Sequence, residues 1–468
     1  MKKLNAFLVS ALATVALNAA EANTAVIEQV IVRQQWPWST DVKIEYKLKD
    51  VSSPVDVSVE AYNGDEKLDQ TRLDKSLSGD RYGVTDVVGT IILDPVKAFG
   101  TEKVALANFK VKLSVANSSA EMQEVLYKVF DLDNTTRDVS ACENVTRAAL
   151  LNGKYGSVER SFDFVGTSSL SNVLIWTGIT NDVKYMTRYL VLRKIPVAGQ
   201  VFTVAPDGVP FQAKLTKNYW MGVFEFTQAQ WAKIFSGSHK PYFTNVACKD
   251  TRPAENMAFA DIRGSVNGLL WQKGVDLATA YQVDAGSPID GLRKKFGGAF
   301  RFDLPTGVQW EIAARAGTTS RFYDGSTPSS SISTLTVLPE LVPLARYKWN
   351  GGCTDGDSSG GNSTPEPAAD CTTERGTNRV GSYLPNAYGL YDVLGNVNEL
   401  VLDCRGNYDT EGIQVDPMGP AKAYDHRYKR GGGWLNTADA VVIDNSYLSH
   451  ATSGNVKDSG FRICLTEE

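Results

Sequence analysis

The sequence predicts a two-part molecule, an all-β N-terminal region followed by a loop-rich α+β region. Three observations carry that expectation. The chain has 468 residues, more than a single hydrophobic core usually serves. From about Ala25 to Ser118 apolar and polar residues alternate with period two, and no helical stretch interrupts them. Beyond residue 187 short helix-start signals are scattered through glycine-rich irregular chain. An apolar fraction of 43% with 22% charged residues is that of an ordinary globular protein.

Residues 1–22 pair Lys2 and Lys3 with an apolar run from Phe7 to Leu17 and small residues ending in Ala20-Glu21-Ala22. This is the layout of a secretory signal peptide with an A-x-A cleavage site, and the run is too short to cross a bilayer. The expected location is secreted, periplasmic or at the cell surface, with no transmembrane segment. In residues 23–118, Val42, Ile44, Tyr46 and Leu48 alternate with Lys43, Glu45 and Lys47. Val55, Val57 and Val59 repeat the pattern, Asn63-Gly64 follows as a turn, and Phe109, Val111, Leu113 and Val115 repeat it again. Short strands of this kind predict an immunoglobulin-like β-sandwich. Trp36-Pro37-Trp38 is expected to pack in its core and edge. Residues 119–186 read as a connector with some strand pairing.

In residues 187–468, Thr227-Gln228-Ala229-Gln230 and Thr306-Gly307-Val308-Gln309 each open a helix with a capping box, and Gly237 and Gly317 end them. The six cysteines are Cys142, Cys248, Cys353, Cys371, Cys404 and Cys464, an even number that suits an oxidising compartment. Six cysteines allow fifteen pairings. Cys353 with Cys371, around a Gly/Ser/Asp-rich insertion, is the first expectation, and Cys404 with Cys464 the second. Three scattered histidines, His239, His426 and His450, and no C-x-x-C spell out neither a thiolate zinc site nor a three-histidine iron site. A net charge of -5 with no basic stripe argues against a nucleic-acid partner.

Several segments then occur in a telling order: YLVLRKIPVAGQVFTV (Tyr189 to Val204), MGVFEFTQAQWAKIF (Met221 to Phe235), RPAENMAFADI (Arg252 to Ile262), RFDLPTGVQWEIAARAGT (Arg301 to Thr318), VGSYLPNAYGLYDVLGNVNEL (Val380 to Leu400), RGGGW (Arg430 to Trp434) and GFR (Gly460 to Arg462). Together they resemble the formylglycine-generating-enzyme family, also called the sulfatase-modifying-factor domain. The resemblance implies a C-type-lectin-like fold in residues 187–468, often steadied by calcium. Asp392, Gly395, Val397 and Glu399 fall on the positions that hold one calcium in the family's oxidases. Two carboxylates and two carbonyls converging at a glycine turn are chemistry that Ca²⁺ accepts.

The oxidases follow the RGG-W motif with two cysteines that bind Cu(I), and here those positions are Asn436 and Val441. Neither side chain replaces a soft thiolate, so neither copper nor formylglycine generation is expected and no catalytic residue is assigned. Related iron enzymes of this domain use histidines of a separate helical domain, whereas no histidine precedes His239 here. What remains is the segment between the two frame motifs, Asn436 to Ser459. It is rich in Asn, Asp, Ser and Thr without a sustained period, which predicts irregular surface chain. Its composition is that of a paratope. The same framing occurs in variable ligand-binding proteins made by diversity-generating retroelements. The expected function is binding of an extracellular glycan or protein through Asn436, Asp439, Asp444, Tyr447 and His450. The alternative is an oxidase-like enzyme acting through other residues, with Asp439, Asp444, His450 and Asp458 as a conceivable acid-base set.

Overall fold

The computed structural model describes residues 24–467 apart from 35, 102–105, 107, 161–172, 238–240, 244–247, 272–274, 327–336, 351–375, 421–425 and 451–456. The expected signal peptide and the Cys353–Cys371 loop lie outside the described residues. The chain divides into two compact units: Met1–Leu126 with Val145–Val158, and Tyr127–Asn144 with Glu159–Glu468.

The first unit contains β1 (Val26–Gln34), β2 (Val42–Lys49), β3 (Val55–Asn63), β4 (Glu66–Lys67), β5 (Leu77–Gly79), β6 (Val88–Leu93) and β7 (Phe109–Asn117). They form a four-stranded sheet in the order β1-β2-β6-β5 and a three-stranded sheet β4-β3-β7. The alternation read from the sequence is the burial pattern observed: Val42, Ile44, Tyr46 and Leu48 point inward, as do Val55, Val57, Val59 and Ala61, and both sets join one core. Gly89 is required where it stands, because a Cβ there would lie 2.1 Å from the Tyr46 ring. The connector is not wholly separate from this unit. The Asn152 side chain accepts from the backbone N–H groups of Arg81 and Tyr82 and donates to the Tyr82 carbonyl, tying Val145–Val158 to the strands.

Two expectations fail here. Helices Gln70–Ser76 and Pro95–Phe99, capped by Asp69 and Asp94, interrupt the strands of a region read as free of helix. Trp36 is 45% and Trp38 75% exposed, so the Trp-Pro-Trp segment is not core. It lies beyond Gln34 and Val42, the last residues that β1 and β2 pair, and so outside the paired strands.

The remaining strands are β8 (Val125–Asp131), β9 (Cys142–Thr146), β10 (Glu159–Arg160), β11 (Leu174–Ile175), β12 (Tyr189–Ile195), β13 (Val201–Val204), β14 (Phe211–Lys214), β15 (Tyr219–Gly222), β16 (Phe302–Asp303), β17 (Asn398–Cys404), β18 (Ile413–Val415), β19 (His426–Arg430), β20 (Ser446–His450), β21 (Ser459–Gly460) and β22 (Cys464–Thr466). They build a six-stranded sheet in the order β16-β22-β15-β12-β8-β9, a four-stranded sheet β20-β19-β17-β21, a three-stranded sheet β13-β14-β18, and the pair β10-β11. Short helices fill the gaps. Both expected capping boxes are present: Thr227 with Gln230 opens Gln228–Ile234, and Thr306 with Gln309 opens Gly307–Arg315. The second helix buries every residue except Arg315, so it runs through the domain rather than along its surface.

Cys404 and Cys464 are free thiols, which overturns the second expected bridge. Cys404 ends β17 and donates to the Trp271 carbonyl, whereas Cys464 begins β22 in another sheet and donates to Gln309, so each sulfur already has its own partner. Cys248 is disulfide-bonded.

Replacing Thr306 by Ala removes the acceptor for the Gln309 N–H and should cost about 1 kcal/mol, whereas Thr306→Ser should cost little. Urea denaturation of the two variants measures the difference, and equal midpoints would show that the cap carries no stability.

Candidate functional site

Both frame motifs are anchored by buried arginines. Arg462 of the GFR motif is 1% exposed and donates to both carboxylate oxygens of Glu399 at 2.6 to 3.1 Å. Its other donors reach the carbonyls of Gly222, Val223 and Tyr391. The Trp310 indole donates to the same carboxylate at 2.7 Å. Arg430 of RGGGW is likewise buried, paired with Glu311 at 2.9 Å and donating to the Ile443 carbonyl. Gly431 and Gly432 follow with φ of 84° and 73°. A Cβ on Gly432 would meet Val441 at 2.9 Å, so the turn and the segment after it touch at van der Waals distance only because the residue is glycine.

Beyond the turn lies a compact polar cluster. Asn398 donates to the side chains of Asn436 and Asp458, both at 2.9 Å, and its own side-chain oxygen is buried without a hydrogen-bond partner among the described residues. The Asn436 oxygen also accepts from the Gly433 N–H. Lys429 donates to Ser459 and stands 3.7 Å from Asp458. Burial holds the Lys429 ammonium below its usual range, and Asp458 partly offsets this. Trp434 is fully buried, with the edge of Phe243 5.3 Å from its ring and its indole N–H bonded to the Lys457 carbonyl, so the turn opens no cavity at this indole. Glu255 fixes the covering segment by accepting from the N–H groups of Tyr242 and Phe243. Its carboxyl is pushed up to about 7, chiefly by burial.

Residues 195–467, more than half of the chain, match the Sulfatase-modifying factor enzyme 1-like domain. The chain belongs to the sulfatase-modifying-factor family. Among curated relatives it is 30% identical over 239 residues to the formylglycine-generating enzyme of Streptomyces coelicolor, covering 48% of this chain and 62% of that protein. It is 23% identical over 279 residues to the chaperone protein LppX of Paenibacillus barcinonensis, covering 57% and 87%. Among solved structures it is similar to Treponema denticola variable protein 1, at 21% identity with a TM-score of 0.40, covering 60% of this chain and 96% of that one. The chain thus spans less than two thirds of the Streptomyces enzyme's length.

At the two positions where oxidases of the sulfatase-modifying-factor family carry thiols, Asn436 is half-buried in the polar cluster and Val441 is fully buried in the core. The expected recognition residues do not form one group. Asn436 joins Asn398 and Asp458, Asp444 forms an ion pair with Arg321 at 3.1 Å, and Asp439 is exposed. Tyr447 and His450 lie in β20, opposite Lys429 and His426 of β19. The expectation of irregular, outward-facing chain therefore holds for part of the segment only. Ala438, Val441, Val442 and Ile443 are core, and residues 446–450 are a strand. Asn398, Lys429 and Glu255 were not singled out by the sequence, which offers no signal for them other than their places within or beside the family segments.

Asp392, Gly395 and Val397 of the expected calcium residues lie in the chain before β17, where Asp392, Gly395 and Asn396 are all at positive φ, and Glu399 lies in β17 itself. Asp392 accepts from the Gly381 N–H, and Glu399 is held by Arg462 and Trp310 as above. Glu225 is buried beside them, accepting from Asn396 and the Val397 N–H. Burial, then the charges of Asp392 and Glu399, hold its carboxyl well above the usual range, with Arg462 opposing. Among the described residues no three His, Cys, Asp or Glu side chains are arranged as metal ligands, so a cation would draw on main-chain carbonyls as well.

Breaking the Arg462–Glu399 pair strands a buried carboxylate. Arg462→Leu should therefore cost about 3–5 kcal/mol, far more than removal of the half-exposed Arg321–Asp444 pair by Arg321→Leu, about 1 kcal/mol or less. Chemical denaturation of the two variants checks the ranking, which equal losses would refute.

Proposed function

We propose that this member of the sulfatase-modifying-factor family is an exported binding protein rather than a formylglycine-generating oxidase. The observation that carries the reading is Val441. The position that would hold the second redox thiol is a core side chain with no exposed surface, while its partner position is an amide engaged in structural hydrogen bonds. Two of the free cysteines, Cys142 and Cys464, are poor substitutes. Burial raises the Cys142 thiol to about 11 and the Cys464 thiol further still, which leaves neither as a thiolate near neutral pH. Recognition then falls to the framed segment: Asn436, Asp439, which is exposed, Asp444, and Tyr447 and His450 of β20. The partner is an extracellular glycan or protein. Export rests on residues 1–22, and the first unit is read as an immunoglobulin-like spacer, supported by its strand order β1-β2-β6-β5, which corresponds to the first sheet of such sandwiches.

Incubation of a Cys-x-Pro-x-Arg peptide with the protein, Cu(I) and O₂ should leave the cysteine unchanged by mass spectrometry, and reproducible conversion to the aldehyde would restore the oxidase reading. A glycan array probed with the mature chain supplies the positive arm. For any glycan bound, Asp439→Ala with Tyr447→Ala or His450→Ala should weaken binding about thirty-fold where a true hot spot is removed, while Lys43→Ala in β2 should not. Unchanged binding in all of these would remove the framed segment from recognition.

We further propose that calcium is held by Asp392, Gly395, Val397 and Glu399. A ligand confined to the folded state adds about 2.7 kcal/mol at one hundred times its Kd, so melting curves with calcium and with chelator should separate. Asp392→Asn is the informative variant, because Glu399 variants also break the Arg462 pair. Coincident curves for the parent protein would rule the site out.

A further inference from the structure

We infer that Trp36 and Trp38 form a stacking platform for a neutral, β-linked polysaccharide, which gives the first unit a binding role of its own. The segment departs from its expected packing: Trp36, Pro37 and Trp38 are all exposed, the indoles at 45% and 75%. Among the described residues neither indole makes a hydrogen bond or a ring contact, so each keeps a free N–H donor beside its apolar ring.

The platform is held ready. The Gln34 amide donates to the Thr40 carbonyl at 2.9 Å, closing the turn, and its oxygen accepts from the Leu106 N–H at 3.4 Å. The Asp41 N–H donates to the Ser39 hydroxyl at 3.1 Å. A ligand that meets a preset backbone loses less affinity to ordering it.

Size, charge and ring chemistry choose the ligand. At these exposures the two indoles offer on the order of 300 Å² between them, far below the roughly 800 Å² that each partner buries in a stable protein interface. No apolar neighbour extends the patch among the described residues. The other exposed large hydrophobics of this unit, Val87 and Val88, lie toward the opposite end of the sheet, since Val88 pairs with Lys47 of β2 whereas Val42, next to the turn, pairs with Leu93. The described charges flanking the turn are Arg33, Asp41, Lys43 and Glu45, two of each sign, and Glu45 is paired to Arg33 at 3.0 Å and to Lys43 at 2.7 Å. This leaves no basic field for an anionic lipid surface or a sulfated chain. The polar run Ser39-Thr40-Asp41 beside the second indole is likewise costly to bury in a bilayer. A pyranose with equatorial hydroxyls and linkages presents a bare C–H face to an indole and hydroxyl acceptors at its edge to the N–H groups. An unbranched β-linked chain therefore uses both chemistries of the platform. The inference is independent of the reading of the framed segment.

The experiment runs the full chain on native gels containing hydroxyethylcellulose, xylan or glucomannan. At least one polymer should retard it, Trp38→Ala should weaken that binding about tenfold, and Trp38→Phe, which keeps a smaller ring, should fall between. Trp36→Ala should act in the same direction. Trp38→Ala, at the more exposed residue and outside the paired strands, should keep the parent melting temperature. Asp439→Ala in the framed segment should leave the retardation unchanged, which separates the two sites. The inference is overturned if none of the polymers retards the chain, if Trp38→Ala migrates like the parent, if Asp439→Ala abolishes the retardation, or if phosphatidylcholine vesicles sediment the chain through these tryptophans.

Discussion

One guanidinium holds the second unit together. Arg462 uses all of its donors: toward Glu399, toward the carbonyls of Gly222 and Val223 at the end of β15, and toward Tyr391 in the chain before β17. Glu399 in turn takes the Trp310 indole from helix Gly307–Arg315. A buried ion pair repays its desolvation only when the geometry is good and the leftover donors are satisfied, and both conditions are met. The residue two before it is constrained by the same contact. A Cβ on Gly460 would lie 2.7 Å from Val397, so any larger side chain would push β21 off β17 and pull Arg462 from its partners.

Arg430 plays the matching part for the other frame motif. Its carboxylate partner Glu311 follows Trp310 on the helix, so both motifs are moored on consecutive residues of a helix that is itself almost wholly buried. This gives a physical reason for the loop-rich architecture. Long irregular connections keep one conformation when their ends are tied by charge-assisted hydrogen bonds in a dry interior, even where regular secondary structure is sparse.

How legible this was in the sequence depended on the range of the interaction. The alternating strands of the first unit and the two capping boxes are local patterns, two and three residues long in their logic, and the structure reproduces them. Helix Pro288–Lys295 was equally readable, with Ser287 as N-cap, proline at the first turn and three basic residues in the last, but was not picked out. The ion pairs were beyond reach, because Arg462 and Glu399 lie 63 residues apart and nothing local marks either as buried. Ala438 to Ile443 misled for the opposite reason. Its apolar residues are too few to show a period, and the polar flanks suggested surface when the turn at Gly431 and Gly432 in fact carries the run back into the core.

That return to the core separates two kinds of position within the framed segment. In the framed segment the residues that stabilise and the residues that face outward are different ones. Val441, Val442 and Ile443 pack against the domain and Ile443 supplies a carbonyl to Arg430, whereas Asp439 is exposed and Asp444 half-exposed. A change at Asp439 removes no packing and breaks no buried hydrogen bond, so its stability cost is small. A polar side chain at Val441 would be buried against Gly432 with no partner. Selection for a new ligand can therefore act on the outer positions while the inner ones keep the fold. Val441 fits that division, since an aliphatic side chain fills the interior space without the cost of burying a polar or charged group.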